Sequence, residues 1–431
     1  MTRKTIHIIE VSSLYAAVII CVILTSLACT SIKKNQTKVS SLSAKEILGN
    51  SNYKAISYGG YRKSSRDQQP SVEEIKEDLL LLAAMDIKIL RTYNVKLAHA
   101  HNVLKAIHSL KANDPNFQMY VMLGAWIDCK NAWSDLPINH QEESEENASE
   151  IERAVQLAQT YPDIVKIIAV GNEAMVKWAA AYYVEPSIIL KWVNYLQELK
   201  QKNDLPNNLW ITSSDNFASW GGGTDEYHVK DLENLLRAVD YVSVHTYPMH
   251  DTHYNPSFWG YTEKEKKLSV HIKIDSAMSR SIDYAKLQYQ AVKNYMVDLG
   301  IDKPVHIGET GWASSSDGFY GLEGSKACDE YKQAAYYNGI RKWTKKEGIS
   351  CFFFEAFDEP WKDANNPHGS ENHFGLFKVD GRGKYVLWET IDNNKFNSLG
   401  RGGKEICKTY DGSLELLMTD VAVPPKRNQK Q

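Results

Sequence analysis

Beyond Cys29 the chain carries only four cysteines, Cys129, Cys328, Cys351 and Cys407, among 431 residues. That is too few for a disulfide scaffold in an exported chain of this size. Cys351 sits in a strand-like run and reads as a buried free thiol; a Cys129–Cys328 bridge is left open. No Cys-x-x-Cys pair occurs, which removes support for a structural zinc site. An excess of charge is also missing. The formal net charge is −3 and no basic stripe stands out, which argues against nucleic acid as a partner. No Gly-x-Gly-x-x-Gly follows the first strand, so a doubly wound dinucleotide-binding sheet lacks its phosphate turn.

The chain is 43% hydrophobic and 24% charged, the balance of a large packed core rather than of disorder. Arg3 and Lys4 followed by an apolar run from Val11 to Ala28 read as a lipoprotein signal peptide over residues 1–28, with Ser26-Leu27-Ala28-Cys29 placing the lipidated residue at Cys29. An uncleaved signal anchor is the alternative. Residues 29–50 begin as a Ser/Lys/Asn/Gln-rich tether, residues 51–398 carry the patterned domain, and residues 399–431 read mostly as a tail. The expected location is a bacterial cell envelope, at a membrane held by lipid.

Within residues 51–398 short apolar runs alternate with helical patterns eight times. Strands are expected near Ala55–Gly60, Ile87–Tyr93, Gln118–Ala125, Val165–Gly171, Trp210–Ser214, Tyr241–His245, Val305–Gly308 and Ser350–Ala356. Helices lie between them, the first capped by Ser71 with Glu74 as in a capping box and another by Ser187. A long polar insertion is expected from Met249 to Ser276. Continuous apolar strands indicate a parallel sheet, and eight repeats indicate an α/β fold of the (β/α)8 TIM-barrel type.

Two of these strands end in glutamate: Ile167-Ile168-Ala169-Val170-Gly171-Asn172-Glu173 and Pro304-Val305-His306-Ile307-Gly308-Glu309. At the carboxyl ends of barrel strands, such a pair faces one pocket, the arrangement that glycoside hydrolysis uses. A pair at the ends of the fourth and seventh strands of a narrow barrel is expected to stand about 5–5.5 Å apart, too close for an attacking water between carboxylate and sugar. His245, His250, His253 and Asp251 look like a metal cluster, but neither helical nor strand spacing gathers the three histidines on one face. No metal and no cofactor are expected.

The set Arg91-Thr92-Tyr93, Leu123-Gly124-Ala125-Trp126, Val170-Gly171-Asn172-Glu173, Ile307-Gly308-Glu309-Thr310-Gly311-Trp312 and Phe354-Glu355-Ala356-Phe357-Asp358-Glu359-Pro360-Trp361-Lys362 resembles glycoside hydrolase family 17, in its microbial branch, over about residues 52–390. That family comprises β-1,3-glucanases and glucanosyltransferases on a clan A (β/α)8 barrel. The resemblance implies Glu173 as acid/base and Glu309 as nucleophile of a retaining enzyme. It further implies substrate contacts from Arg91, Tyr93, Trp126, Asn172, His245, Tyr247, Trp312, Glu359, Trp361 and Lys362. Asn172 would meet the sugar 2-hydroxyl, Tyr247 would hold the nucleophile, and Arg91 would orient Glu309. Trp126, Trp312 and Trp361 would stack on glucose rings. Phe374 stands where many relatives have Trp and removes an indole N–H. The expected partner is a β-glucan polysaccharide or oligosaccharide, cut by a monomer. A glucanosyltransferase uses the same glutamates, and a non-catalytic glucan-capturing lipoprotein is the reading from another class.

Overall fold

The computed structural model describes residues 42–427. The signal peptide, the lipidation site Cys29 and most of the tether lie outside the described residues. Eight parallel strands close a barrel: β1 Lys54–Ser57, β2 Ile87–Arg91, β3 Tyr120–Ala125, β4 Val165–Asn172, β5 Trp210–Asn216, β6 Val242–His245, β7 Val305–Gly311 and β8 Cys351–Phe354. Each pairs with its neighbours in sequence, and β1 closes on β8. This is the expected (β/α)8 barrel.

Side chains alternate between the barrel lumen and the helix layer. Ala55, Ile89, Tyr120, Met122, Ile167, Ala169, Tyr241 and Phe352 fill the lower lumen. Leu90, Leu123, Ile168, Val170, Val244 and Ile307 belong to the larger core of strands and helices. Higher in the lumen polarity takes over, with Ser57, Arg91, Ser214, Ser243 and His245 all buried. One end of the barrel is therefore plugged with apolar groups, and the other holds ionisable ones.

Three expectations change. The tether stops short of residue 50: Ser43 caps a short helix, Ala44–Ile47, whose Ala44 and Ile47 are buried against the lower-lumen cluster. An apolar plug needs an apolar lid, and these residues supply it. Nor do residues 399–427 trail away. Gly400–Arg401 pairs antiparallel with Lys404–Glu405, and Arg401 is buried against Asp78 at 2.8 Å. A buried Arg–Asp pair of this kind fixes a segment firmly, because losing either partner strands a charge. The insertion after β6 is also largely helical: Pro248–Tyr254 forms one helix, and a helix of 29 residues starts at Val270 with Ser269 as its cap.

Local signals otherwise act as expected. Ser71 and Glu74 form both hydrogen bonds of the capping box. The helix expected to start at Ser187 starts one residue earlier, with Pro186 in its first turn and Glu185 before it, since proline presets φ there and has no N–H to lose. The four cysteines are all free, so the open Cys129–Cys328 bridge is not formed, and Cys351 is buried as expected. Among the described residues no helix is long and apolar enough to cross a membrane.

Candidate active site

Simple alternation would put Glu309 on the wrong face of its strand. Ile307 belongs to the outer core, and a residue two further on would follow it outward. The register prevents this. Val244 pairs with Ile307 but His245 pairs with Glu309, so β7 holds one extra residue at this point. The same extra residue shows against β8, where Cys351 meets Ile307 and Phe353 meets Thr310. Such a bulge re-aims the next side chain, and Glu309 turns into the lumen. Gly308 makes the bulge possible, because a Cβ there would stand 2.0 Å from the Ser243 hydroxyl oxygen. β4 does the same. Ala169 pairs with Thr212 and Asn172 with Ser214, with Gly171 at φ +80 and Glu173 itself at φ +47.

Once inside, Glu309 is held from three sides. Arg91 Nη1 donates to Oε2 at 2.5 Å, the Tyr93 hydroxyl donates to Oε2 at 2.7 Å, and the Tyr247 hydroxyl donates to Oε1 at 2.6 Å. Burial alone would raise its pKa. The charge of Arg91, the nearby His245 and the two phenol hydrogen bonds outweigh burial, and the carboxyl stays below its ordinary value. Burial and the Glu309 charge push both phenols well above theirs, so both remain donors.

Arg91 serves three acceptors with one fork: Glu309, the Gly308 carbonyl at 2.9 Å and Asn172 Oδ1 at 2.5 Å. A lysine cannot reproduce that geometry. Arg91→Lys is expected to lower kcat by about 10²-fold, the scale of removing one preorganised charge-stabilising group. It should also move the acidic limb of the pH profile upward. With less stabilisation of its anion, Glu309 keeps its proton to higher pH, and a carboxylate can act as a nucleophile only when ionised. A pH–rate series on both proteins checks the direction.

Glu173 is more open, its side chain 25% exposed against 10% for Glu309. Its backbone N–H donates to Ser214 O at 3.0 Å, and His245 Nδ1 lies 3.1 Å from Oε1. His245 is in turn fixed by Ser214 Oγ, 2.8 Å from Nε2, and Ser214 by Ser243. A further buried carboxyl stands behind this one. Asp215 accepts from Met175 N–H at 2.8 Å and from the Ser219 hydroxyl at 2.6 Å, and so pins the turn after Glu173. Burial pushes its pKa up to about 6.

Both glutamates line one cleft of about 1320 Å³, together with Tyr93, Trp126, Asn172, Tyr247, Glu359, Trp361 and Lys362. Glu359 accepts from the Tyr61 N–H at 3.2 Å and the Trp361 indole at 2.9 Å, with Lys362 Nζ at 3.8 Å. Burial raises the pKa of Glu359, and raises that of Glu355 further because Glu359 is close. Burial would lower Lys362, but these two carboxyls outweigh it and keep Lys362 protonated.

Three expected substrate contacts are corrected. Trp312 is fully buried; its indole donates to Ala327 O at 2.8 Å and its ring packs on Trp259 and Tyr336. Leaving β7, the chain carries it under the helix Glu330–Glu347, where no sugar can reach. Arg91 and His245 are sealed in the lumen and do not line the cleft. Arg91 orients Glu309, as the resemblance implied, and His245 holds Glu173, so both position rather than bind. Of the histidines outside the barrel, His250 stacks on Tyr247 and His253 on Phe319. Phe374 packs edge-on to Tyr247 and lines the cleft. Asn94, Asn216 and Trp133 also line the cleft and were missed. Asn94 follows the end of β2 and Asn216 ends β5, so both carried a positional signal; Trp133 sits on a hairpin outside the barrel pattern and carried none.

A parallel (β/α)8 barrel with one buried, ionised carboxylate and one more open carboxyl at its strand ends defines a glycosidase framework. The model of the BtgE/BtgC glycoside hydrolase domain matches residues 55–375. The chain belongs to this family, and the resemblance to glycoside hydrolase family 17 is borne out. An endo-laminarinase from Formosa Hel1_33_131 is similar over its whole structure, with 65% identity and a TM-score of 0.90, covering 90% of this chain and 99% of that one. A β-1,3-glucanosyltransferase from Rhizomucor miehei shares the fold at 20% identity and a TM-score of 0.52, over 78% of this chain and 96% of that one. A putative glucan endo-1,3-beta-glucosidase btgC from Aspergillus niger is 25% identical over 70% of this chain. The match covers only 37% of that protein's length.

Proposed function

We propose that this protein hydrolyses β-1,3-glucan of the laminarin type by double displacement, with Glu309 as nucleophile and Glu173 as acid/base. The observation that carries the reading is the asymmetry of the two carboxyls. Glu309 is buried and kept ionised by Arg91 and two phenols, as an attacking group must be. Glu173 faces the open cleft, where it can give a proton to the leaving oxygen and later take one from water. The activity named for the 65%-identical Formosa enzyme supports the substrate class.

In the first step Glu309 attacks the anomeric carbon while Glu173 protonates the departing glucosyl oxygen. The Arg91 pair and the phenols release the carboxylate charge as the ester forms. Asn172, held by Arg91, would meet the 2-hydroxyl, a contact that strengthens as positive charge develops on the ring. In the second step water attacks from the opposite face, with Glu173 as base.

Early proton NMR of laminari-oligosaccharide hydrolysis is expected to show the β-anomer first, with the α-anomer appearing only by mutarotation. An initial α product would overturn the mechanism. The same reaction at high oligosaccharide concentration separates hydrolysis from transfer, because transfer yields products longer than the substrate. We also propose that the protein acts as a monomer, exported and anchored through acyl chains on Cys29, more than one chain being needed for stable attachment. Palmitate labelling that survives Cys29→Ser would sink the anchor, and light scattering at a dimer mass would sink the monomer.

A further inference from the structure

An exposed aromatic surface lies on the cleft wall formed by the loops after β3 and β4. Trp133 is 64% exposed, at the turn of a hairpin whose strands are Cys129–Lys130 and Asn139–Glu143. Trp178, on the loop after Glu173, is 62% exposed. Both line the same cleft as the two glutamates, as does Trp126. A soluble protein has reason to hide such rings unless they meet something.

The rings are fixed in place. The indoles of Trp126 and Trp133 both donate to Asp128 Oδ1, at 2.7 and 3.1 Å. Between them lies Tyr182, stacked on Trp133 at 5.0 Å and tilted against Trp126 at 5.3 Å. The hairpin is tied down at several points. Cys129 N–H donates to Tyr182 O at 3.2 Å. His140 stacks on Tyr183 at 3.6 Å. Glu143 accepts from the Trp192 indole at 2.6 Å. Trp133 itself has φ +60, an uncommon conformation for a non-glycine residue and one that the surroundings must hold. Two indole N–H groups converging on one carboxylate, around a third ring, set the faces before any ligand arrives.

We propose that Trp133, backed by Tyr182, forms a distal subsite that stacks on a glucosyl unit of the bound glucan away from the cleavage point. The occupant is a further sugar of the same substrate chain, because the platform continues the catalytic cleft. A pyranose presents a flat C–H face that suits an exposed indole, and preorganised rings bind it at little entropic cost. The inference rests on the proposed action on β-1,3-glucan. It adds that affinity grows with chain length on this wall of the cleft.

The test compares the intact wild-type enzyme with Trp133→Ala and Trp133→Phe. The substrates are laminarin and the shortest laminari-oligosaccharide the wild type cleaves. Trp133→Ala is expected to raise KM for laminarin about tenfold, the scale of one aromatic stacking contact, with kcat retained. KM for the shortest substrate should not change, and Trp133→Phe should recover most of the loss. Asp128→Ala, which frees both indoles, should shift KM in the same substrate-dependent way. An unchanged KM on laminarin, or an equal rise on both substrates, would overturn the subsite. If the wild type cleaves no laminari-oligosaccharide at all, the glucan reading fails instead, and the two failures are distinct.

Discussion

Glu309→Gln is expected to lose at least about 10⁴-fold in kcat, because the covalent route disappears with its nucleophile. Glutamine keeps the shape of the side chain; its oxygen can stand at the Oε2 position and accept from Tyr93, while its NH2, at the Oε1 position, donates to the Tyr247 hydroxyl oxygen. The loss should therefore appear in turnover while the melting temperature changes much less. The smaller Glu309→Ala leaves space where the carboxylate stood. With an activated glycoside, azide entering that space should give the α-glycosyl azide, a single inversion. A β-azide from this variant would mean that Glu309 is not the attacking group. Retained activity in the glutamine variant would remove the double displacement altogether.

Glu173→Ala should show the complementary behaviour. On natural glucan its rate is expected to fall by about 10²–10⁴-fold, the contribution of a positioned acid/base. On a substrate with a good leaving group the first step needs no acid, so Glu309 should still be glycosylated. Hydrolysis of that ester then lacks a base, and the glycosyl-enzyme should accumulate. Intact-protein mass spectrometry should find the added sugar, and peptide mapping should find it on Glu309. Azide attacking that intermediate gives the β-glycosyl azide. A rate equal to wild type on natural glucan would remove Glu173 from the reaction, and an adduct on Glu173 in the wild-type protein would show that the roles are exchanged. Glu309 is favoured as the nucleophile because Arg91 is bonded to it and not to Glu173.

Glu359 and Lys362 enter neither step. They line the cleft from the end of β8 and hold Trp361. Gly59 lets Glu359 approach β1 closely, since a Cβ there would sit 1.9 Å from its Oε1. Their expected part is to shape and orient the sugar, as the resemblance implied.

Much of the barrel was legible because its signals are local. Each apolar run is continuous, since a parallel strand is covered on both faces. Each strand end is marked by glycine or a polar residue. Glu173 and Glu309 stood out for the same reason, as charged groups at the tips of buried runs. Where packing rather than periodicity decides, the reading failed. Ala44 and Ile47 sit in a polar-looking stretch and lid the barrel only because the lower lumen needs an apolar cover. Arg401 sits among glycines and looks unattached until Asp78 is seen to be buried and in need of a cation. Trp126 and Trp312 both follow strand ends, yet one lines the cleft and the other is entombed under a helix.

By itself the sequence determined the (β/α)8 architecture, the two glutamates and the family to which they belong, because hydrophobic periodicity and short motifs are properties of neighbouring residues. It did not determine which way Glu309 points. Strict alternation sends it outward with Ile307, and only the extra residue that β7 holds against both β6 and β8 turns it inward onto Arg91. Nor did it determine that His245 holds a carboxylate rather than sugar. A bulge exists only as a mismatch between paired strands, and burial exists only once the lumen has closed. Both are relations between distant segments, and the tertiary structure alone brings those segments together.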